Sequence, residues 1–448
     1  MVRFVPSHFF VYNVEVEIKR VYYIKALSKD FINMAKKITP IDTHAPNKRI
    51  WFLWSIVMWV GSLFMKILYG AKIVKRNKLP KPPYLLLSSH ASMMDFYVAI
   101  LGTFPYRPYW VSTVEEFIPR HFLFRRMGVI AKRKFTNDPK SAMLMLEVLQ
   151  KRKKILIVYP EARYSLVGEQ ERIDNGLGRF VKMANVPVVY MACHGNYLYQ
   201  PQWSDRKVRK FKPMVSEMMT VIDKYDLETL SAEEIQAKIE ENFKISEEDW
   251  MRRKNIKITY PDRAVGLHKL LYKCPHCGTE FEMESEGHIL RCKHCGVEYD
   301  YQEDGSLKCL NAETKFDYPS KWYYWEKEEV RKEVEAGTYH FEDDVRVEKL
   351  IGAGVGFVPQ DGHYHLTHTI EDGITVKGTD NDFEYHRSSL QSYAIHIEYN
   401  YLGRGAFLDL ATMDDTWFVY PLAQPDYITK VHFAVECIYD YLKGKLKK

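Results

Sequence analysis

Cysteine is scarce in this chain: there are seven in 448 residues, and four of them fall into two C-x2-C pairs. Cys193, Cys309 and Cys437 stand alone, which excludes a disulfide framework and points to a reducing compartment. A large excess of one charge is also lacking, since the net charge is +6 beside 46% hydrophobic and 14% aromatic residues. That balance excludes a disordered chain and allows two to four domains with real cores. The first thirty residues lack the basic, apolar and small-residue succession of a cleavable signal peptide, so the N-terminus is expected to be retained. Long uncharged apolar runs are missing but for one, Ile50 to Met65.

The positive charge is clustered, at Arg125, Arg126, Lys132, Arg133 and Lys134, at 151–154, and at Arg206, Lys207, Arg209, Lys210 and Lys212. Each cluster reads as a solvated face or as a contact for an anionic partner such as a membrane surface or a phosphorylated substrate. Nucleic acid is a third anionic partner that such clusters suit, but nothing around the paired cysteines farther on has the dense basic and aromatic interleaving of a strong case, so no nucleic acid is expected as a partner.

The one apolar run carries Trp51, Trp54 and Trp59 and stops at Lys66. As a helix it reaches about 24 Å, short of a hydrocarbon core of roughly 30 Å. Snorkelling of Lys66 would extend it to Ala71 as a tilted span, whereas the tryptophans favour an interfacial or re-entrant anchor. A buried helix of a soluble domain is the third reading. Residues 1–49, with the alternating Val14, Val16 and Ile18, have no clear placement.

From Pro82 onward strands alternate with helices. Tyr84–Ser88, Tyr109–Thr113, Gly128–Ala131, Ile155–Tyr159 and Val186–Ala192 read as buried strands, and Met93–Thr103, Ser141–Arg152 and Gly176–Ala184 as helices. An apolar strand follows near Met214–Lys224, and Ser231 with Glu234 forms a capping box opening the next helix. This is an α/β pattern, in which functional loops gather at strand ends. In YLLLSSHASMMDFY, Tyr84 to Tyr97, His90 falls at such a strand end and Asp95 in the first helical turn. A carboxylate there fixes the tautomer and orientation of the imidazole, which is what a general base requires. The same spacing also suits a purely structural histidine at a helix N-terminus.

Four ordered stretches resemble the blocks of the glycerolipid acyltransferase superfamily, that of the 1-acylglycerol-3-phosphate acyltransferases. SHASMMD matches its H-x4-D block, and GVIAKR, Gly128 to Arg133, is similar to a family segment ending in an Arg near the acceptor. YPEARYS, Tyr159 to Ser165, stands where the family has F-P-E-G-T-R-S, and VPVVYMA, Val186 to Ala192, resembles its Val-Pro strand. The third block departs from the pattern: Ala162, Arg163 and Tyr164 replace Gly, Thr and Arg.

The resemblance implies a membrane-associated O-acyltransferase of phospholipid biosynthesis, on the cytoplasmic side. His90 is its base and Asp95 its orienting carboxylate, while Arg133, Glu161, Arg163 and Ser165 hold the acceptor or its loop. The donor is acyl-CoA or acyl-carrier protein, and the acceptor is a lysophospholipid hydroxyl, 1-acylglycerol-3-phosphate by default. An inactive lipid- or protein-binding adaptor on the same scaffold is the alternative that the altered third block permits.

Farther on, Cys274, Cys277, Cys292 and Cys295 form C-x2-C-x14-C-x2-C, the spacing of a zinc ribbon, with Gly278 and Gly296 at the knuckles. Four thiolates imply a structural Zn2+, with His276 and His294 as bystanders. GAGVGF, Gly352 to Phe357, is not a dinucleotide fingerprint, because no helix follows it. His363 and His365 share a strand face from which alternation excludes His368, so these three are not expected to bind a metal.

The expected architecture has five parts. An N-terminal region, 1–72, carries a membrane-associated helix at about 50–71, and 73–260 form an α/β acyltransferase domain. A zinc ribbon spans 264–310, a linker with the helix Ser320–Ala336 spans 311–344, and a β-rich, pleckstrin-homology-like domain spans 345–448, with Glu348–Val358 and Leu390–Tyr399 among its expected strands and a final helix at Asp426–Lys443.

Overall fold

The structure is a computed structural model that describes residues 41–48, 50, 52–118, 121–205, 209, 213–352, 355–400 and 403–446. The alternating stretch at Val14, the expectation for the first thirty residues, Trp51 and the cationic residues of 206–212 other than Arg209 lie outside the described residues.

Helix α1, Phe52–Tyr69, is the apolar run. Among the described residues it is the one helix long and apolar enough to cross a membrane. Ser55, Ser62 and Tyr69, spaced by seven, are buried. Leu53 (74%), Val60 (61%), Phe64 (53%) and Ile67 (71%) are exposed, so one stripe of the helix is seated on protein and a broad apolar face is bare. Trp59 meets Phe104 edge to face, with ring centroids 5.4 Å apart.

The first sheet contains β1 (Lys72–Lys75), β2 (Leu85–Ser88), β3 (Tyr109–Thr113), β4 (Val129–Lys132), β5 (Leu156–Val158), β6 (Val188–His194) and β7 (Val215–Ile222) in the order β1-β7-β6-β2-β5-β3-β4. All its pairings are parallel except that of β6 with β7. Leu85 and Leu87 enter one apolar core and Leu86 the other, which is why β2 reads as an unbroken leucine run. Helix α2 (Met94–Thr103) follows β2, and α3 (Leu177–Ala184) precedes β6. The capping box of Ser231 with Glu234 is present. Strand β1 and the short helix His121–Met127 were not legible in the sequence pattern.

The second sheet is a small antiparallel one of β8 (Met283–Glu286), β9 (Ile289–Cys292), β10 (Glu298–Tyr301) and β11 (Leu307–Cys309), carrying the paired cysteines. Helix α4, Pro319–Glu335, follows it, and Gly337 at φ +70° ends the turn beyond.

The C-terminal part is one eight-stranded antiparallel sheet. It comprises β12 (Phe341–Gly352), β13 (Gly356–Pro359), β14 (Tyr364–Thr369), β15 (Gly373–Gly378), β16 (Glu384–Arg387), β17 (His396–Glu398), β18 (Phe407–Ala411) and β19 (Thr416–Pro421). Helix α5, Ile428–Leu446, completes it. Two expectations are corrected here. The expected strand Glu348–Val358 is divided between β12, which ends at Gly352, and β13, which begins at Gly356, and these two glycines pair. Leu390–Tyr399 is not one strand either; it contains part of a short 3-10 turn, Ser389–Gln391, and then β17. Helices α4 and α5 pack together, and a continuous buried cluster joins all three sheets.

Candidate active site

Every candidate residue of the first sheet sits past the C-terminal end of a parallel strand, where loop backbone is free to form side-chain contacts. His90 follows β2. The loop bends there because Ser89 Oγ accepts from the Cys193 amide (3.0 Å) and Ser92 Oγ from the Met94 amide (3.2 Å). Asp95, fully buried in the first turn of α2, accepts on Oδ2 from His90 Nδ1 at 3.0 Å and from the amides of Ala91 (2.6 Å) and Ser92 (2.9 Å). Its Oδ1 accepts from Asn196 Nδ2 at 2.6 Å. The contact turns Nδ1 of the His90 ring toward Asp95 and leaves Nε2 as the ring nitrogen not engaged by it.

Two tyrosines fix the plane of the ring. Tyr159 stacks on His90 at 4.1 Å and 24°, and Tyr164 lies against it at 4.3 Å and 45°. Burial, with Asp95 nearby, pushes the Tyr159 hydroxyl well above its ordinary value, so it is a neutral wall. The His90 side chain is still 21% exposed and lines a cavity of about 1530 Å³, larger than most small-molecule sites. Trp54, Val57 and Met58 of α1 line the same cavity, as do Phe96 and Tyr97 of α2.

The loop after β5 carries three of the expected residues. Glu161 is fully buried and accepts from the His90 amide (3.2 Å) on one oxygen and the Glu171 amide (2.9 Å) on the other. Burial, with Glu171 adding, pushes its carboxyl well up. Of the two roles expected for Glu161, its bonds are those of a loop clamp. Ser165 donates its amide to the His90 carbonyl (2.8 Å) and its hydroxyl to the Glu169 carbonyl (2.5 Å). Ala162, where the family has Gly, adopts φ +54°, so the position is one that glycine takes without steric cost.

Arg163 is drawn into a buried network: its guanidinium pairs with Glu171 (2.8 Å) and with Glu436 of α5, and donates to the Ile395 carbonyl (3.1 Å). Burial opposes ionisation, yet the two carboxylates hold the guanidinium charged; in return Arg163 and Lys327 hold Glu436 well below the usual carboxylate range despite its burial. Arg163 thus joins the C-terminal helix to the loop past β5. Glu171, His432 and Glu436 gather closely enough to ligate a metal, but the guanidinium bonded to both carboxylates fills that role. Lys132, the last residue of β4, and Arg133 just past it line the cavity and donate to the carbonyls of Thr136 (2.8 Å) and Met413 (2.9 Å), respectively. Among the described residues neither has a carboxylate at ion-pair distance.

In the second sheet Cys274, Cys277, Cys292 and Cys295 converge, with Sγ separations of 3.7 Å (Cys274–Cys295) and 3.8 Å (Cys277–Cys292). A tetrahedron of thiolates bonded at about 2.3 Å has edges of about 3.8 Å, so this donor set fits such an ion. Gly278 and Gly296 hold φ +75° and +73°, and each donates its amide to the first cysteine of its knuckle at 2.9 Å. His276 is engaged with the Tyr299 hydroxyl (2.9 Å). His365 pairs with Asp344 and His368 with Tyr339, on opposite faces of β14.

Sequence reasoning missed Asn196, which sits past β6 in a segment without a motif of its own. It also missed the packing of Tyr164 against His90.

Residues 71–194, which hold β1 to β6 and the His90–Asp95 pair, match the family model described as Acyltransferase. No curated protein matches the chain. Among solved structures, the 1-acyl-sn-glycerophosphate (LPA) acyltransferase PlsC from Thermotoga maritima is similar to it at 16% identity and a TM-score of 0.34, over 52% of this chain and 90% of that one.

Proposed function

We propose that the protein, which carries an acyltransferase domain, transfers a fatty acyl group from acyl-CoA or acyl-carrier protein to the hydroxyl of a lysophospholipid, of which 1-acylglycerol-3-phosphate is the simplest. The observation that carries this reading is the His90–Asp95 pair at 3.0 Å on the wall of a lipid-sized cavity. His90 Nε2 takes the proton of the acceptor hydroxyl, that oxygen attacks the thioester carbonyl, and the thiolate leaves with the proton. Asp95 stabilises the imidazolium formed on the way. Arg133 and Lys132 are the cations on the cavity wall suited to the acceptor phosphate. Glu161 and Ser165 hold the loop that carries His90, and Arg163 ties that loop to α5.

The bare face of α1 is the membrane contact, and α1 residues lining the cavity give an acyl chain a route from the bilayer. The reading assigns 73–260 to catalysis at the cytoplasmic membrane face, 264–310 to a structural zinc ribbon and 345–448 to the pleckstrin-homology-like β-unit. Elemental analysis is expected to return about one zinc per chain, lost in Cys274→Ser; a metal-free native protein contradicts the ribbon.

The test of the reaction is formation of a diacyl product from labelled acyl-CoA or acyl-carrier protein and a lysophospholipid in mixed micelles. Product that vanishes in Asp95→Ala supports the reading. No product with any donor and acceptor favours the non-catalytic adaptor.

A further inference from the structure

The C-terminal sheet contributes directly to the cavity that holds His90. Its inner face is defined by register: His396 of β17 lies opposite Asp409 of β18, Asp409 opposite Phe418 of β19, and Glu398 opposite Phe407. Alternation puts these side chains on one side of the sheet. That side meets the loops past β3 and β4. Lys134 Nζ pairs with Asp409 at 3.0 Å, and His396 Nε2 with Glu398 at 3.1 Å.

Several polar atoms on this wall have no hydrogen-bond partner among the described residues. They are both carboxyl oxygens of Glu115, Nδ1 of His396, the hydroxyl of Tyr385 and Oγ1 of Thr113. All four residues line the cavity, and Glu115, His396 and Tyr385 are only 7%, 3% and 3% exposed. Burying a polar group without a partner is costly, and a domain contact made only for docking is better served by apolar side chains. Such a cluster in a ligand-sized cavity calls for a polar ligand group that satisfies it.

We infer that Glu115, Tyr385 and His396 form a headgroup subsite, and that the acceptor carries a neutral hydroxyl-bearing group, such as glycerol, inositol or a sugar, beyond its phosphate. This rests on the acyltransferase reading above. Hydroxyls both donate and accept, matching a wall in which His396 Nδ1 accepts while Tyr385 donates. An ammonium headgroup has only donors and offers nothing for the Tyr385 hydroxyl to donate to, and an anionic one meets the carboxyl groups of Glu398 and Asp409. Burial agrees with a neutral surface. It pushes Glu115 up to about 8, with Lys134 opposing and Asp409 adding, and pushes His396 down to about 4.

The experiment compares lysophosphatidylinositol, lysophosphatidylglycerol, lysophosphatidic acid and lysophosphatidylethanolamine as acceptors for the full chain in mixed micelles. Binding of the same lipids to His90→Ala is measured in parallel by tryptophan fluorescence. The hydroxyl-headed acceptors are expected to exceed lysophosphatidic acid at least tenfold in kcat/KM and to bind His90→Ala correspondingly tighter. Glu115→Leu and Tyr385→Phe are expected to bring both preferences close to one. Equal or better use of lysophosphatidic acid or of the amine-headed lipid overturns the inference while leaving the acyltransferase reading intact. The binding preference without turnover of any acceptor by wild type preserves the subsite and overturns the reaction. Absence of both the preference and turnover overturns both.

Discussion

Asn196→Ala removes one of the four hydrogen bonds that Asp95 accepts, and leaves Oδ1 of a fully buried carboxylate without its 2.6 Å donor. A bond to a charged group is worth more than a neutral one, so acyl transfer is expected to fall about tenfold in kcat with KM little changed. Asn196→Asp, nearly isosteric, sets a second carboxylate against the first and is expected to cost more; steady-state kinetics on folded variants checks both. At Ala162 the expectation runs the other way. An L-residue at φ +54° carries a steric penalty that glycine avoids, so Ala162→Gly is expected to raise unfolding free energy by about 0.5–1 kcal/mol in urea titration. The contact of His90 with Asp95 was legible because their spacing crosses a strand end into a first helical turn. Asn196 was not, because its partner lies 101 residues away and no local pattern encodes that pairing.

At the scale of elements, α5 and the loop past β5 are joined through Arg163. The resemblance offered Arg163 to hold the acceptor or its loop; the fold gives its guanidinium Glu171 and, from a segment that no motif brings near, Glu436. Breaking such a pair strands a buried charge. Glu436→Gln is therefore expected to lower stability by about 3 kcal/mol, read by denaturation, and to expose the α5 region to limited proteolysis. The α/β strands were readable because each is a short apolar run between turn residues. In the C-terminal sheet GAGVGF merged two strands into one expected strand, since a reversal at Gly352 and Gly356 leaves no polar break between apolar residues.

At the scale of the molecule, one continuous core couples the units, so buried groups far from the cavity report on global stability. His368 of β14 accepts from the Tyr339 hydroxyl at 3.0 Å, and burial pushes it down to about 3 from an ordinary 6.5. The unfolded chain binds this proton between pH 6.5 and 3 while the folded chain does not. The stability it confers is complete above pH 6.5 and is lost on acidification, by about 1.4 kcal/mol per pH unit. Wild type is thus expected to lose its advantage over His368→Gln as urea midpoints are followed from pH 7 down to 4.5; a difference that stays constant contradicts this. The meeting of the first and C-terminal sheets around one cavity was not legible in the sequence, because domain contacts depend on faces whose partners are hundreds of residues apart. The central claim, that His90 activates an acceptor hydroxyl, is tested most directly by thiol release from long-chain acyl-CoA, with and without lysophospholipid, for wild type and His90→Ala. Acceptor-dependent release that falls at least a hundredfold in the variant is the predicted result. Release that is independent of acceptor, or unchanged by His90→Ala, would contradict it.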